Sequence, residues 1–260
     1  MGKTEALRSL LEKNRDALVR ADSSTLSVQN GICYDGIVDE TVFYSDENTP
    51  RVIFLLKETN GNDANGKTPD HLKDWDYRYW LEHQQANGEK SEQNDSNQFY
   101  RTFHSLCMWL DVFRACINGH VMPFSDYRDS GQLSPEHLRE NLRRTAILNL
   151  KKTWGGGATS WNSLNSYLES DAAKNVIREQ IELIQPDIVI CGGRQVFDFA
   201  RVIFAAEEKH ILSGEKDVLY FKADDVIFLN FYHPACRKSK EFLYDYSADV
   251  FQTLLEKGLY

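Results

Sequence analysis

The sequence predicts an α/β fold of three layers, with a central four-stranded parallel sheet between two layers of helices. Three observations carry that expectation. Four continuous apolar runs, at 51–58, 146–150, 187–191 and 226–231, have the composition of strands covered on both faces. Amphipathic stretches with helical spacing separate them. Strands alternating with helices along a chain are the pattern of a parallel sheet closed in by its own crossovers. The 260 residues fit one such domain, and a hydrophobic fraction of 42% with 12% aromatics excludes global disorder.

Taken in order, the chain opens on an amphipathic helix with Leu7, Leu10, Leu11 and Leu18 on one side. Residues 28–48 read as loop and short β-like pieces, so that 1–50 form a helix and lead-in. The first strand is RVIFLLKE, 51–58. A polar insertion, 59–98, follows, rich in Asn, Asp and Gly, with eight acidic and four basic residues. Phe99, Phe103, Leu106, Leu110 and Phe113 then recur at helical spacing, and Pro135 sits near the start of a further helix, PEHLRENLRR. The strand 146–150 ends before Lys151, Lys152 and a Gly-rich turn. Ile177, Ile181 and Ile184 share one helix face, which Pro186 terminates. DIVICGG supplies the third strand, a helix runs from Arg194 to about Ala206, and VIFLNF leads through Tyr-His-Pro-Ala into a last helix.

A formal charge of −9 excludes a protein that coats nucleic acid by bulk positive charge. It is compatible with a local basic patch. Five scattered cysteines with no CxxC pair argue against a disulfide framework or zinc ribbon. His104 and Cys107 share a helix face, but two ligands fall short of a metal site. No apolar run approaches a membrane span, and the N-terminus lacks a signal-peptide core. The expectation is a soluble, cytoplasmic monomer without metal or cofactor.

In parallel sheets, ligands bind at the carboxyl ends of the strands. Those ends carry Lys57-Glu58-Thr59-Asn60-Gly61, Asn149 with Lys151 and Lys152, Gly192-Gly193, and His233-Pro234. Together they offer a carboxylate to stabilise a cation, an amide to read a polar ligand edge, and an imidazole to neutralise a developing oxyanion. Asn149 is the most informative, since an amide inside the apolar strand AILNL must find partners.

The four motifs in this order resemble those of the uracil-DNA glycosylase superfamily. VIFLLKETNG matches the strand that runs into that family's GQDPYH or GMNPG motif, with Glu58 at the position of the Asp or Asn. AILNL matches LLLN, DIVICGG matches the third strand, and FLNFYHPAC matches the strand that runs into HPSP. The chain departs from the pattern at Thr59, which replaces a proline. It also departs at Arg237 and Lys238, which stand where the family inserts an apolar wedge into DNA. The resemblance implies a uracil-DNA glycosylase-like fold and a hydrolase that cleaves the N-glycosidic bond of a damaged or deaminated base. It implies Glu58 and His233 as catalytic residues and Asn149 and Asn60 at the base. Phe99 and Tyr100, with Phe103, are candidates to stack on an extruded base.

Phosphate contacts are expected from Arg144, Lys151, Lys152, Arg237 and Lys238. A solvated helix face is the competing account of the first cluster. Two further readings stand beside DNA repair. The acidic segment 62–98 and the net charge fit an enzyme acting on a free nucleoside or nucleotide. The Glu58 replacement fits a module that recognises a base, or modified DNA, without cutting it.

Overall fold

The apolar runs become neighbouring strands. The structure, a computed structural model, describes residues 2–22, 31–46, 49–60, 98–155, 161–213 and 216–260. Its strands are β1 (Gly36–Ile37), β2 (Val52–Asn60), β3 (Ala146–Gly155), β4 (Ile188–Gly192), β5 (Lys209–Ser213), β6 (Lys216–Ala223) and β7 (Val226–Phe231). They form one sheet in the order β1-β3-β2-β4-β7-β6-β5. β3–β2, β2–β4 and β4–β7 pair in parallel, with Phe54 beside both Ile147 and Ile190, and Ile190 beside Leu229. β1, β6 and β5 join antiparallel at the two edges.

Among the described residues the sheet is therefore seven-stranded and mixed, and the expected all-parallel four-stranded sheet is only its centre. The antiparallel additions mix apolar residues with charged ones. In the hairpin β5–β6, the buried hydrophobic side chains among those described are Ile211, Val218 and Phe221, spaced between lysines, a histidine and an aspartate. The turn from β6 to β7 is Asp224-Asp225, with Asp224 in the left-handed region at φ 51.

Helices cover both faces. They are α1 (Lys3–Ala21), α2 (Glu40–Phe43), α3 (Gln98–Ile117), α4 (Phe124–Asp129), α5 (Pro135–Arg143), α6 (Trp161–Glu169), α7 (Asp171–Ile184), α8 (Arg194–Ile203) and α9 (Lys240–Glu256). Strand alternation sorts the core into two layers. Val52 and Phe54 pack with α3, α5 and α9, while Ile53 and Leu55 pack with α1, α6, α7 and α8. Leu7, Leu10, Leu11 and Leu18 of α1 are all buried, as their spacing predicts. Local chemistry fixes the helix ends. Ser134 caps α5 by accepting from the His137 backbone N–H ahead of Pro135, and Ser239 caps α9 by accepting from Phe242.

Strand limits differ from the sequence expectation at the carboxyl edge of the parallel strands. β2 runs on to Asn60, and β3 continues through Lys151 and Lys152 to Gly155. After β2 the chain crosses to β3 on one side, and later strands add on the other side through β4. The reversal lies between β2 and β4. In open α/β sheets that is where ligands bind, outside the carboxyl ends.

Candidate active site at the carboxyl edge of the parallel strands

Gly192 closes β4 at this edge. A Cβ there would stand 2.9 Å from Leu56 Cδ2 and 3.3 Å from Pro234 Cδ, so only glycine lets the end of β2 and the His-Pro turn approach β4. The next residue, Gly193, has φ 112 and starts α8, which makes Gly192-Gly193 a tight strand-to-helix turn. From the other layer, the Ser105 hydroxyl of α3 donates to the Pro234 carbonyl at 2.7 Å. The turn after β7 is thus held on two sides.

His233 occupies that turn, partly buried. Its Nδ1 accepts the Ala235 backbone N–H at 3.2 Å, which leaves Nε2 as the proton-bearing nitrogen of the neutral ring. Burial depresses the imidazole from 6.5 to about 4, and the positive charge of Lys57 adds to the effect. Lys57 lies on β2 with its ammonium 4.4 Å from the centroid of the Trp161 ring at the start of α6. The edge therefore carries a neutral imidazole beside a cation. That combination can donate a hydrogen bond to a developing anion without first losing a proton.

Asn149 sits beside Leu56 in the β3–β2 register, 1% exposed. Its backbone N–H donates to Asp35 Oδ2 at 2.6 Å, and its amide Nδ2 lies 3.4 Å from the same oxygen. Glu58 is placed beside Lys151 and Asn60 beside Gly155 by strand pairing. The side chains of Glu58 and Asn60 lie outside the described residues, as do those of Phe99 and Tyr100 in the first turn of α3. Phe103 is 4% exposed within the core between α3 and the sheet, which removes it as a stacking candidate.

The expected phosphate contacts require correction. The Lys151 and Lys152 side chains are 3% and 1% exposed. Lys151 pairs with Asp22 at 3.0 Å, and Lys152 with Asp35 at 2.8 Å. Both lie inside β3 rather than in a loop beyond it. Burial lowers the Lys152 ammonium from its ordinary value against the pull of Asp35. Arg144 ends α5 just before β3, at the amino ends of the parallel strands, and pairs with Glu140 at 3.1 Å. It faces the wrong edge for this site. Arg143 likewise pairs with Asp39 and Glu140, so the solvated, acid-matched helix face is the better account of that cluster.

Arg237 and Lys238 are exposed in the turn after His233, with the Lys238 ammonium 5.0 Å from the Phe242 ring centroid. They keep a basic surface beside the candidate site. Sequence reasoning missed Asp35, Ser105, Lys57 as a neighbour of His233, and Trp161. Only Lys57 had a legible cue, its place one residue before Glu58.

His104 and Cys107 do not converge. The Cys107 thiol donates to the Leu138 carbonyl at 3.3 Å, and His104 Nδ1 lies 3.4 Å from the Lys240 ammonium. Among the described residues no group of three or more His, Cys, Asp or Glu side chains is placed to hold a metal ion. Among them, too, no helix is long and apolar enough to cross a membrane. No family model matches the chain, and no curated protein matches it.

Proposed function

We propose that the protein hydrolyses the N-glycosidic bond of a damaged or deaminated base in DNA, in the manner of the uracil-DNA glycosylase superfamily that its motifs resemble. The observation that carries this reading is His233, a neutral imidazole that bears its proton on Nε2 at the carboxyl edge of the parallel strands. In the reaction, water adds to the sugar carbon as the bond to the base breaks. The bonding electron pair leaves with the base, and the sugar passes through a cation-like state. Glu58 stabilises that cation and takes the water proton. His233 Nε2–H donates to the base carbonyl on which negative charge gathers, and Lys57 strengthens the field there. The Asn149 amide reads the polar edge of the extruded base. Arg237 and Lys238 contact phosphates. The chemistry requires no cofactor.

The test is incubation with single- and double-stranded oligonucleotides that carry uracil, hypoxanthine or mismatched thymine, followed by alkaline cleavage of abasic sites. At least one base is released by the wild type, none by Glu58→Gln, and far less by His233→Ala. No release from any substrate, or full activity in both variants, overturns the proposal.

A second reading is favoured by the inward or opposite-edge placement of Arg144, Lys151 and Lys152. With those three withdrawn, the expected phosphate contacts shrink to Arg237 and Lys238, and a free nucleoside or nucleotide becomes a fitting substrate. Hydrolysis of a nucleoside beside weak, salt-insensitive oligonucleotide binding would select it. Tight binding of a modified oligonucleotide without an abasic product would instead indicate a recognition module.

A further inference from the structure

Asp35 lies in the lead-in before β1, a stretch with no legible role in the sequence. It is 6% exposed, and its side chain is fully enclosed. Three residues direct donors at its carboxylate. Oδ2 accepts the Asn149 backbone N–H at 2.6 Å and faces the Asn149 amide Nδ2 at 3.4 Å. The Lys152 ammonium donates to Oδ1 and Oδ2 at 2.9 and 2.8 Å. Gln180 Nε2 of α7 donates to Oδ1 at 2.9 Å. An ionised carboxylate only accepts, so the Asn149 atom that faces it must be the amino group. A flipped amide would set its carbonyl oxygen against a buried negative charge.

A buried lysine–aspartate pair is weak grounds for stability, because apolar residues of similar volume often serve as well or better. An apolar pair could not, however, fix the direction of a neighbouring amide. We infer that Asp35 is the positioning residue of Asn149. It holds the backbone and amide of Asn149 at one oxygen, and Lys152 and Gln180 hold that carboxylate in place. The clamp sets one donor–acceptor order at the base-reading amide. Under the proposed function, that order is the one that reads a uracil-like edge, a carbonyl beside an N–H, and the reversed order would read a cytosine-like edge. This inference rests on the proposed role of Asn149 at the base.

The experiment pairs two readouts on Asp35→Asn/Lys152→Met, a double substitution that removes both charges together. The first readout is hydrogen exchange of the Asn149 side-chain amide, followed by NMR on asparagine-labelled protein and assigned by loss of the resonance in Asn149→Ala. Exchange about tenfold or more faster than in the wild type, in a variant that still melts cooperatively, is expected. Unchanged exchange overturns the clamp. The second readout is the ratio of kcat/KM for uracil over cytosine in otherwise identical oligonucleotides. It falls about tenfold or more if the amide direction sets selectivity. An active variant with an unchanged ratio overturns the selectivity role.

If the double variant does not fold, Gln180→Met withdraws one donor and leaves the ion pair intact. The same two changes are then expected in smaller degree, and their absence overturns the inference. If the wild type releases no base at all, the functional reading fails by itself, and amide exchange still decides the clamp.

Discussion

The Ser105 hydroxyl of α3 donates a 2.7 Å hydrogen bond to the carbonyl of Pro234, the residue after His233. The bond ties the helical layer that covers one face of the sheet to the turn that carries the imidazole. Ser105→Ala leaves that buried carbonyl short of a donor, at a cost of about 1–3 kcal/mol. Because the carbonyl belongs to the turn itself, base release is expected to fall by about tenfold, more than a remote change of equal stability cost. Urea unfolding and single-turnover base release on the same preparation test it. A loss of activity no larger than in a control core variant of equal stability would refute the positioning role.

The neutral state of His233 has a measurable pH signature. The folded imidazole titrates at about 4, below its ordinary 6.5. Between those values the unfolded chain binds a proton that the folded chain refuses. The stability contributed by the group is therefore complete above about 6.5 and falls as pH drops toward about 4. It then levels off, a change on the order of 3 kcal/mol overall. Burial is the larger cause and Lys57 the smaller. Lys57→Met accordingly raises the His233 value while leaving it below the ordinary one. NMR titration of the His233 ring proton in both proteins checks the sign, and a wild-type value near 6.5 would remove the premise of a neutral donor.

The centre of the fold is legible in the sequence because its strands are buried on both faces. Runs such as RVIFLLKE and VIFLNF then need no long-range information to be recognised. The hairpin β5–β6 escapes the same reading, since its apolar residues are broken up by charges that tolerate an edge strand. The candidate site divides in the same way. His233, Asn149 and the glycine turn can be found because strand ends can be found. Lys151 and Lys152 mislead, because their charges suggest solvent. Their true partners, Asp22 and Asp35, lie more than a hundred residues earlier in the chain. A buried lysine is identified by its counter-ion, and that pairing exists only in the fold.

The inward pairing of Lys151 and Lys152 makes a prediction about salt. Removing one phosphate-binding cation makes the plot of log affinity against log salt shallower by about one. Arg237→Ala and Lys238→Ala are each expected to reduce the slope for oligonucleotide binding by that amount. Lys151→Met and Arg144→Ala leave it unchanged, the former while costing about 3–5 kcal/mol of stability through the stranded Asp22 carboxylate. Fluorescence anisotropy across a salt series, with thermal melts, separates the two pairs of variants. A slope reduced by Lys151→Met in a folded protein would put that lysine at the phosphates after all.

Gly192 makes the most stringent demand on the edge. An added Cβ meets Leu56 Cδ2 at 2.9 Å, Pro234 Cδ at 3.3 Å and the Leu55 carbonyl oxygen at 3.5 Å. The Leu56 side chain can rotate away, but the Pro234 ring is fixed to the backbone of the His233 turn. Gly192→Ala is therefore expected to cost about 1–3 kcal/mol and to move His233 with the turn. Leu56→Ala in the same chain relieves the closest approach and leaves the second. The double variant should regain part of the stability, measured by denaturant unfolding, while base release stays low because Pro234 is still displaced. Recovery of both together would mean that Leu56 alone carries the clash and that the glycine does not set the position of the turn.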